Sequence, residues 1–353
     1  MRTTGLPVAG VNTALDIEDA GQLAEWLRAK GWLGAHEALV AEVLAGGVSN
    51  RTVLVRRAAG PAWVLKQALP KLRVPTDWFS SPARVHREAL GLRWLPQLAP
   101  PDSTPRFVFE DPDEHLLAME AVPQPHANWK TLLLAGEVAP DLFAQCGQLL
   151  GTLHRAAWQR RAELAEVFAE RAFFESLRLA PYYAYAAEHV PPAAAFLRAL
   201  IDRTRACALT LVHGDYSPKN LLVYRSRLIL LDHEVIHWGD PAFDLGFALT
   251  HFLSKAHHLP GRRAALTDAS RAWWRAYNQT LGALPWRADL EGRAVAHTLG
   301  CLLARVAGRS PLEYLTPAER GRQQAVVTRL LDTPPATIPD LITAFTACIE
   351  STD

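Results

Sequence analysis

The apolar positions of this chain change period near residue 123. Before it, short runs of strand length dominate, at 40–45, 52–56, 62–67, 107–109 and 116–119. Turn residues close most of these runs, as expected of strands. Two helical stretches interrupt them. Residues 16–33 place Leu23, Trp26 and Leu27 on one face with Asp16 as the expected cap, and residues 83–98 carry Leu90, Leu92, Trp94 and Leu95. Pro100, Pro101 and Pro105 then break the chain. Beyond 123 the spacing is helical almost throughout. Leu142, Cys146, Leu149, Leu150 and Leu153 make one stripe over 142–154. Further helices are expected over 164–178, 192–206, 273–277, 293–306 and 317–331. The exception is a predicted β-hairpin, with apolar runs 221–223 and 228–231 around the polar turn 224–227.

That hairpin lies inside the stretch richest in chemistry, HGDYSPKNLLVYRSRLILLDHEVIHWGDPAFDLG, residues 213–246. Pairing its strands brings Asn220, just before the first, beside Asp232, just after the second. An amide oxygen and a carboxylate are hard donors suited to Mg2+, which keeps further positions for water and phosphate. Asp215, in the preceding loop, can face the ion from the side where an acceptor hydroxyl would lie. Phosphoryl transfer asks for these parts. Asp240-Pro241 reads as a helix start, and Asp244 falls in the first turn, where negative charge is favoured. Nearer the N-terminus, the turn GGVSN at 46–50 offers glycines that let backbone N–H groups approach phosphate oxygens. Lys66 follows Trp63, Val64 and Leu65 in an apolar strand and needs a partner; Glu88 on the next helix is placed to supply it.

HGDxxxxN, a short hairpin, D-x-E and DPxxDLG, taken together, resemble the aminoglycoside phosphotransferase and choline kinase family, small-molecule relatives of the protein kinases. The resemblance implies an α+β, bilobal protein-kinase-like fold, with a small β-rich N-lobe over 1–121 and a larger, mostly helical C-lobe over 122–353. It implies an enzyme that moves the γ-phosphoryl group of ATP, with Mg2+, to a hydroxyl of a sugar, amino alcohol or aminoglycoside-like molecule. By position, Asp215 matches the catalytic aspartate, Asn220 and Asp232 the magnesium ligands, and Asp244 the aspartate bracing the catalytic loop. Gly46, Gly47, Ser49, Asn50 and Lys66 would meet the nucleotide phosphates, Glu88 would pair with Lys66, and the backbone of Glu120 and Val122 would bond adenine. Three segments, VLKQALP, the D-x-E with its continuation at 242–244, and GCLLARVAGRSPLEY, are also similar to methylthioribose kinase. In that family two adjacent arginines of the last segment help hold the sugar. Here they are Ala304-Arg305, so Arg305, with Glu234, is the expected acceptor contact. A polycationic acceptor would favour an acidic pocket lip, yet Arg178, Arg305 and Arg309 stand there with Glu175 and Glu313.

Two other readings remain. Residues 233–237, HEVIH, are a literal H-E-x-x-H, the pattern of a zinc hydrolase, whose two histidines must share one helical face. They follow the strand-like LILLD and run into WGDP. A nucleotide-binding pseudokinase with a scaffold role would be expected to lack one of Lys66, Asp215, Asn220 or Asp232; all four are present. No P-loop, dinucleotide or nucleophile-elbow motif occurs. The 353 residues suffice for two cores, and 49% hydrophobic with 21% charged residues is ordinary for a globular protein. A net charge of +1 argues against a nucleic-acid partner. No apolar run reaches the length of a membrane span, and the first residues lack the apolar core of a secretory signal. Cys146, Cys207, Cys301 and Cys348 are far apart, which suits free thiols in the cytoplasm.

Overall fold

The computed structural model describes residues 15–45, 47, 49–73 and 78–351. The chain forms two compact units. One takes the chain to Val85 together with Val108–Ala121; the other takes His86–Phe107 and the chain from Val122 onward.

The first unit is built on a five-stranded sheet. Its strands are β1 (Leu39–Val43), β2 (Asn50–Arg57), β3 (Trp63–Ala68), β4 (Phe107–Asp111) and β5 (Leu116–Glu120), in the order β1-β2-β3-β5-β4. Alternation along β3 sends Trp63 and Leu65 to one face and Lys66 to the other. On the first face they meet Val53, Val55, Phe109 and helix α1 (Ala20–Ala29) through Leu23 and Leu27. This helix is shorter than the periodicity implied, and Asp19 rather than Asp16 caps it, accepting the N–H groups of Gly21 and Gln22. Asp16 spends its carboxylate on the N–H of Glu18 in the turn before, at 2.9 Å, so the chain enters the helix one turn later.

The second unit is mostly helical. It contains most of α2 (Arg84–Trp94), then β6 (Ala127–Asn128), α3 (Trp129–Leu134), α4 (Pro140–Gln159) and α5 (Arg161–Val167). After α6 (Ala172–Phe174) comes a π-helical run, Glu175–Ala184, continued by α7 (Tyr185–His189) and α8 (Ala194–Ala206). The single helix expected over 164–178 is therefore broken. Pro181 explains the π run: it has no N–H to give the carbonyl of Leu177 four residues back, and its ring crowds that oxygen. Next come β7 (Thr210–Val212), the hairpin β8 (Leu221–Tyr224) and β9 (Arg227–Leu230), and β10 (His237–Gly239). β6 extends the hairpin to three strands, and β10 pairs antiparallel with β7. The chain ends with α9 (Pro241–His258), α10 (Arg263–Leu281), α11 (Leu290–Ala307), α12 (Pro317–Asp332) and α13 (Ile338–Glu350). No helix among the described residues is long and apolar enough to cross a membrane.

One contact in this unit is unusually close. A Cβ at Gly147 of α4 would stand 2.3 Å from the carbonyl oxygen of Trp273 in α10, and one at Gly151 would stand 2.9 Å from that of Tyr277. Two glycines one turn apart thus let α10 lie backbone against backbone on α4. Gly147→Ala should lower stability by roughly 1–3 kcal/mol, the usual cost of overpacking. A melting temperature equal to that of the unaltered chain would contradict this packing.

Candidate functional site

The HGD loop leaves β7 and is held at its first two residues by one carboxylate. Asp244 Oδ2 accepts the N–H of His213 at 2.7 Å and Oδ1 accepts that of Gly214 at 2.8 Å. Asp244 sits in the first turn of α9, which begins where Asp240 accepts the N–H of Ala242 and Pro241 fills the first helical position. Behind Asp244, His154 of α4 reaches Oδ2 with Nε2 at 3.4 Å, and its Nδ1 is bonded to the hydroxyl of Tyr277 in α10 at 3.0 Å. Burial alone would raise the carboxyl pKa of Asp244. His154 above all, then His213, reverse that and hold it below its ordinary value.

Gly214 has φ +77°, and a Cβ there would lie 2.9 Å from Val235 Cγ2, so the turn requires glycine. His213 is buried and its pKa is lowered by that burial. Its Nδ1 accepts the N–H of Asp215 at 3.2 Å, while Nε2 donates to the carbonyl of Leu231 at 3.1 Å. The ring therefore ties the aspartate's backbone to the far end of the hairpin. Tyr216 anchors the next residue through its hydroxyl, which donates to the carbonyl of Cys146 at 2.8 Å.

Asn220 and Asp215 meet directly. Asn220 Nδ2 donates to Asp215 Oδ2 at 2.7 Å and to the Asp215 carbonyl at 3.0 Å. Both amide hydrogens are thereby spent, which leaves Asn220 Oδ1 as the donor oxygen for a cation. The hairpin register pairs Leu221 with Leu230, and the N–H of Leu231 donates to the carbonyl of Asn220 at 2.9 Å. Asp232 follows at once, in the left-handed region with φ +67°, a turn that ends the strand direction. The hairpin thus brings the flanks carrying Asn220 and Asp232 together. An amide and a carboxylate oxygen fit a hard cation such as Mg2+ and would suit neither thiophilic nor imidazole-seeking metals.

The sequence put Arg178 at the lip of the acceptor pocket; the structure sets it against Asp215 itself, a contact the sequence did not signal. Its Nη2 lies 3.0 Å from Asp215 Oδ2, its Nε donates to the carbonyl of Gly214 at 2.9 Å, and its Nη1 donates to that of Leu177 at 2.8 Å. That last carbonyl is the one Pro181 cannot bond. Burial works against the guanidinium's charge, but Asp215 first, then Tyr182, Glu234 and Asp232, hold its pKa above the ordinary value. Asn220 and Arg178 both reach Oδ2, so Asp215 Oδ1 is the oxygen turned to other work. Glu234 is buried beside this group. Arg305 of α11 instead bonds the hydroxyl of Tyr182 at 3.2 Å and Ser310 Oγ at 3.0 Å.

The H-E-x-x-H residues are not helical: they form a turn whose last histidine opens β10 opposite Val212. Among the described residues no group of three or more His, Cys, Asp and Glu is disposed to hold a metal ion. His237 is buried against Phe174, ring centroids 4.1 Å apart, and burial pushes its pKa down to about 4. Of the expected nucleotide contacts in the first unit, Gly46 lies outside the described residues. Gly47 approaches the Asn50 carbonyl so closely that a Cβ would stand 3.3 Å from it. Ser49 and Asn50 are buried, with Asn50 Nδ2 donating to Ser49 Oγ at 3.1 Å. Lys66 lies on β3 between Thr52 and Leu117. Glu120 ends β5, and Val122 begins the second unit's longer segment. Glu88 is buried on α2.

Residues 40–284 match the model of the phosphotransferase enzyme family (APH). The chain belongs to this family. It is a small-molecule phosphotransferase, and its fold is the kinase-like α+β fold of that family. A methylthioribose kinase of Pectobacterium atrosepticum is 26% identical over 274 residues, covering 69% of this chain and 67% of that protein. An amicoumacin kinase solved in complex with AMP-PNP, Ca2+ and Ami superposes with a TM-score of 0.55 at 16% identity, over 93% of this chain and 99% of that one. A choline/ethanolamine kinase family protein from Mesorhizobium loti gives 0.51 at 18% identity, over 95% and 99%. At such identities the two structures speak for the fold alone.

Asp240 offers a pH test of how this family member holds its site. Burial would raise its pKa, but His297, Arg293 and the Ala242 N–H bring it down to about 2. A depressed carboxylate contributes stability that is present above the unfolded value near 4 and lost as pH falls through the folded one. Asp240→Asn keeps the cap and removes the charge. The variant should be less stable at pH 7 by about 2 kcal/mol and should lose less than the unaltered chain between pH 4 and 2. Parallel denaturation curves across that window would refute the assignment.

Proposed function

We propose that the chain transfers the γ-phosphoryl group of ATP, with Mg2+, to a hydroxyl of a small molecule. The observation that carries this reading is the Asp215–Asn220 hydrogen bond, with Asp232 one residue beyond the hairpin closure. In it, Asp215 Oδ1 accepts the proton of the attacking hydroxyl. Asn220 Oδ1 and Asp232 would hold Mg2+, which supplies charge neutralisation on the phosphates. Asp244 keeps the loop in place. Lys66 and the backbone around Gly47, Ser49 and Asn50 are assigned to the phosphates, and the backbone of Glu120 and Val122 to the adenine edge; the family resemblance supports these assignments. The related methylthioribose kinases support a hydroxylated acceptor, and Glu234 and Arg305 are the acceptor contacts on this reading.

The test is ADP release from ATP and Mg2+ against pooled sugars, amino alcohols, hydroxy acids and aminoglycosides. Asp215→Ala should lower kcat by roughly 10²- to 10⁴-fold, the usual weight of a general base, with nucleotide binding retained. ADP release that survives the substitution unchanged would remove Asp215 from the mechanism. A chain that binds nucleotide and releases no ADP with any acceptor would favour the scaffold reading instead.

Arg178 is assigned as the positioning residue of Asp215. Arg178→Met should reduce kcat by about 10-fold or more with KM for ATP unchanged, since a charge-assisted hydrogen bond carries about 1.5–3 kcal/mol. Arg178→Lys should recover only part of this, because an ammonium cannot reach Oδ2, Gly214 O and Leu177 O together. Equal kinetics for methionine and lysine at this position would count against it.

A further inference from the structure

Beyond Asp215 the second unit holds two cationic side chains, Arg305 and Lys255, that form no ion pair with a carboxylate among the described residues. Tyr182 lies between two guanidinium groups, Arg178 at 5.8 Å and Arg305 at 5.4 Å from its ring centroid. Arg305 spends only Nη1, on Tyr182, Ser310 O and Ser310 Oγ. Its Nε is buried and has no hydrogen-bond partner among the described residues. The Nε–Nη2 edge, the side of the fork that grips a carboxylate or phosphate with two parallel bonds, is therefore uncommitted. The main chain that carries Arg305 is tied down: the loop after α11 turns back so that the N–H of Leu312 donates to the Arg305 carbonyl at 2.8 Å, and the N–H of Arg309 donates to Pro181 O at 3.0 Å.

A second cation stands nearby. Lys255 of α9 is fully buried. Its ammonium donates to the carbonyl of His251 in its own helix at 3.2 Å and lies 5.2 Å from the Tyr314 ring centroid, and it pairs with no carboxylate among the described residues. Glu313, the acid within electrostatic reach, is already paired with Lys130. Burial first, then Lys130 and Arg305 against the opposing Glu313, push the Lys255 pKa down to about 7. His251 is lowered well below its ordinary value by burial and by Lys255, Arg305, Lys130 and Lys219. The group is continuous with the catalytic loop. Arg178 bonds Asp215 and meets Tyr182, Tyr182 stacks on Phe247 at 6.0 Å, and Phe247 meets His251 at 5.0 Å. Buried cations are kept where something pairs with them, and among the described residues neither Arg305 nor Lys255 is ion-paired with a carboxylate.

We propose that the acceptor is anionic: a hydroxylated compound whose carboxylate or phosphate is received by the uncommitted edge of Arg305, while its hydroxyl faces Asp215. This rests on the phosphotransferase reading above and narrows its acceptor class. An amino alcohol or aminoglycoside would set its ammonium against Arg178, Arg305 and Lys255, and like-charge contact is a strong means of rejection.

The test uses matched probes on the full chain: glycerate against glycerol, ribose 5-phosphate against ribose, and choline as the cation. Calorimetric titration at physiological salt measures binding, and ADP release with ATP and Mg2+ measures turnover. The anionic probes should bind about 10- to 100-fold more tightly than their neutral parents, the factor a charge-assisted hydrogen bond carries. Arg305→Gln should abolish that preference. Lys255→Met, which replaces a buried charge by a side chain of similar length, should weaken it with the melting temperature kept, so the proposal does not hang on one variant folding. Glycerate and ribose 5-phosphate separate the carboxylate from the phosphate form. Turnover of neutral or cationic probes with the anions rejected would overturn the proposal and leave the phosphotransferase reading intact. Anion binding that depends on Arg305, with no ADP released by any acceptor, would keep the subsite and sink the phosphotransferase reading. Absence of anion binding overturns the proposal outright.

Discussion

A single buried carboxylate that accepts two successive backbone N–H groups is what the second unit is arranged around. Asp244 can be ionised there because burial is offset by those two donors and by His154. Its partners come from two elements distant in sequence, the loop after β7 and α4, and Tyr277 of α10 bonds the other ring nitrogen of the α4 histidine. Tyr277 reaches His154 only because two glycines on α4 let α10 approach backbone to backbone. Helix packing with no functional residue of its own therefore decides where the HGD turn points. Such a clamp also resists partial loosening, since removing any one member leaves a buried polar group without its partner.

The loop carries its chemistry through a division of labour between atoms. Asp215 gives Oδ2 to Asn220 and Arg178 and keeps Oδ1 clear. Asn220 gives its nitrogen to Asp215 and keeps its oxygen. His213 gives one ring nitrogen to the loop and the other to the hairpin end. In each case one half of a bifunctional side chain is used for positioning, and this orients the other half without cost in rotamer freedom when a ligand arrives.

Much of this was legible in the sequence, for a physical reason. The hairpin, the HGD turn and the start of α9 are local features, written in turn residues, caps and strand-length apolar runs close together. Asn220, Asp232 and Asp244 could be placed by counting. Lys66 was legible as a polar residue alternating out of an apolar strand. What could not be read was non-local or irregular. Arg178 looks like any arginine beside leucines, and its contact with Asp215 depends on a helix bulged by Pro181 some distance away in the chain. His154 sits in an ordinary apolar stripe. The π-helical run from Glu175 and the later start of α1 at Ala20 were set by a proline and by an Asx turn that spent Asp16, neither of which a periodicity count weighs. Helix α13 hides behind the prolines at 334, 335 and 339, of which the last fills an opening helical position.

The bulged run has an evolutionary reading of its own. A π-helical stretch behaves as an α-helix carrying surplus length, so losing one residue anywhere along Glu175–Ala184 would let it relax to ordinary pairing. Every side chain beyond the deletion would then swing around the helix axis. Arg178 and Tyr182, which face Asp215 and Arg305 together, would part company with one or the other. These contacts can therefore be lost by a change in segment length, with every contacting residue still in the sequence and invisible to a comparison that scores only substitutions.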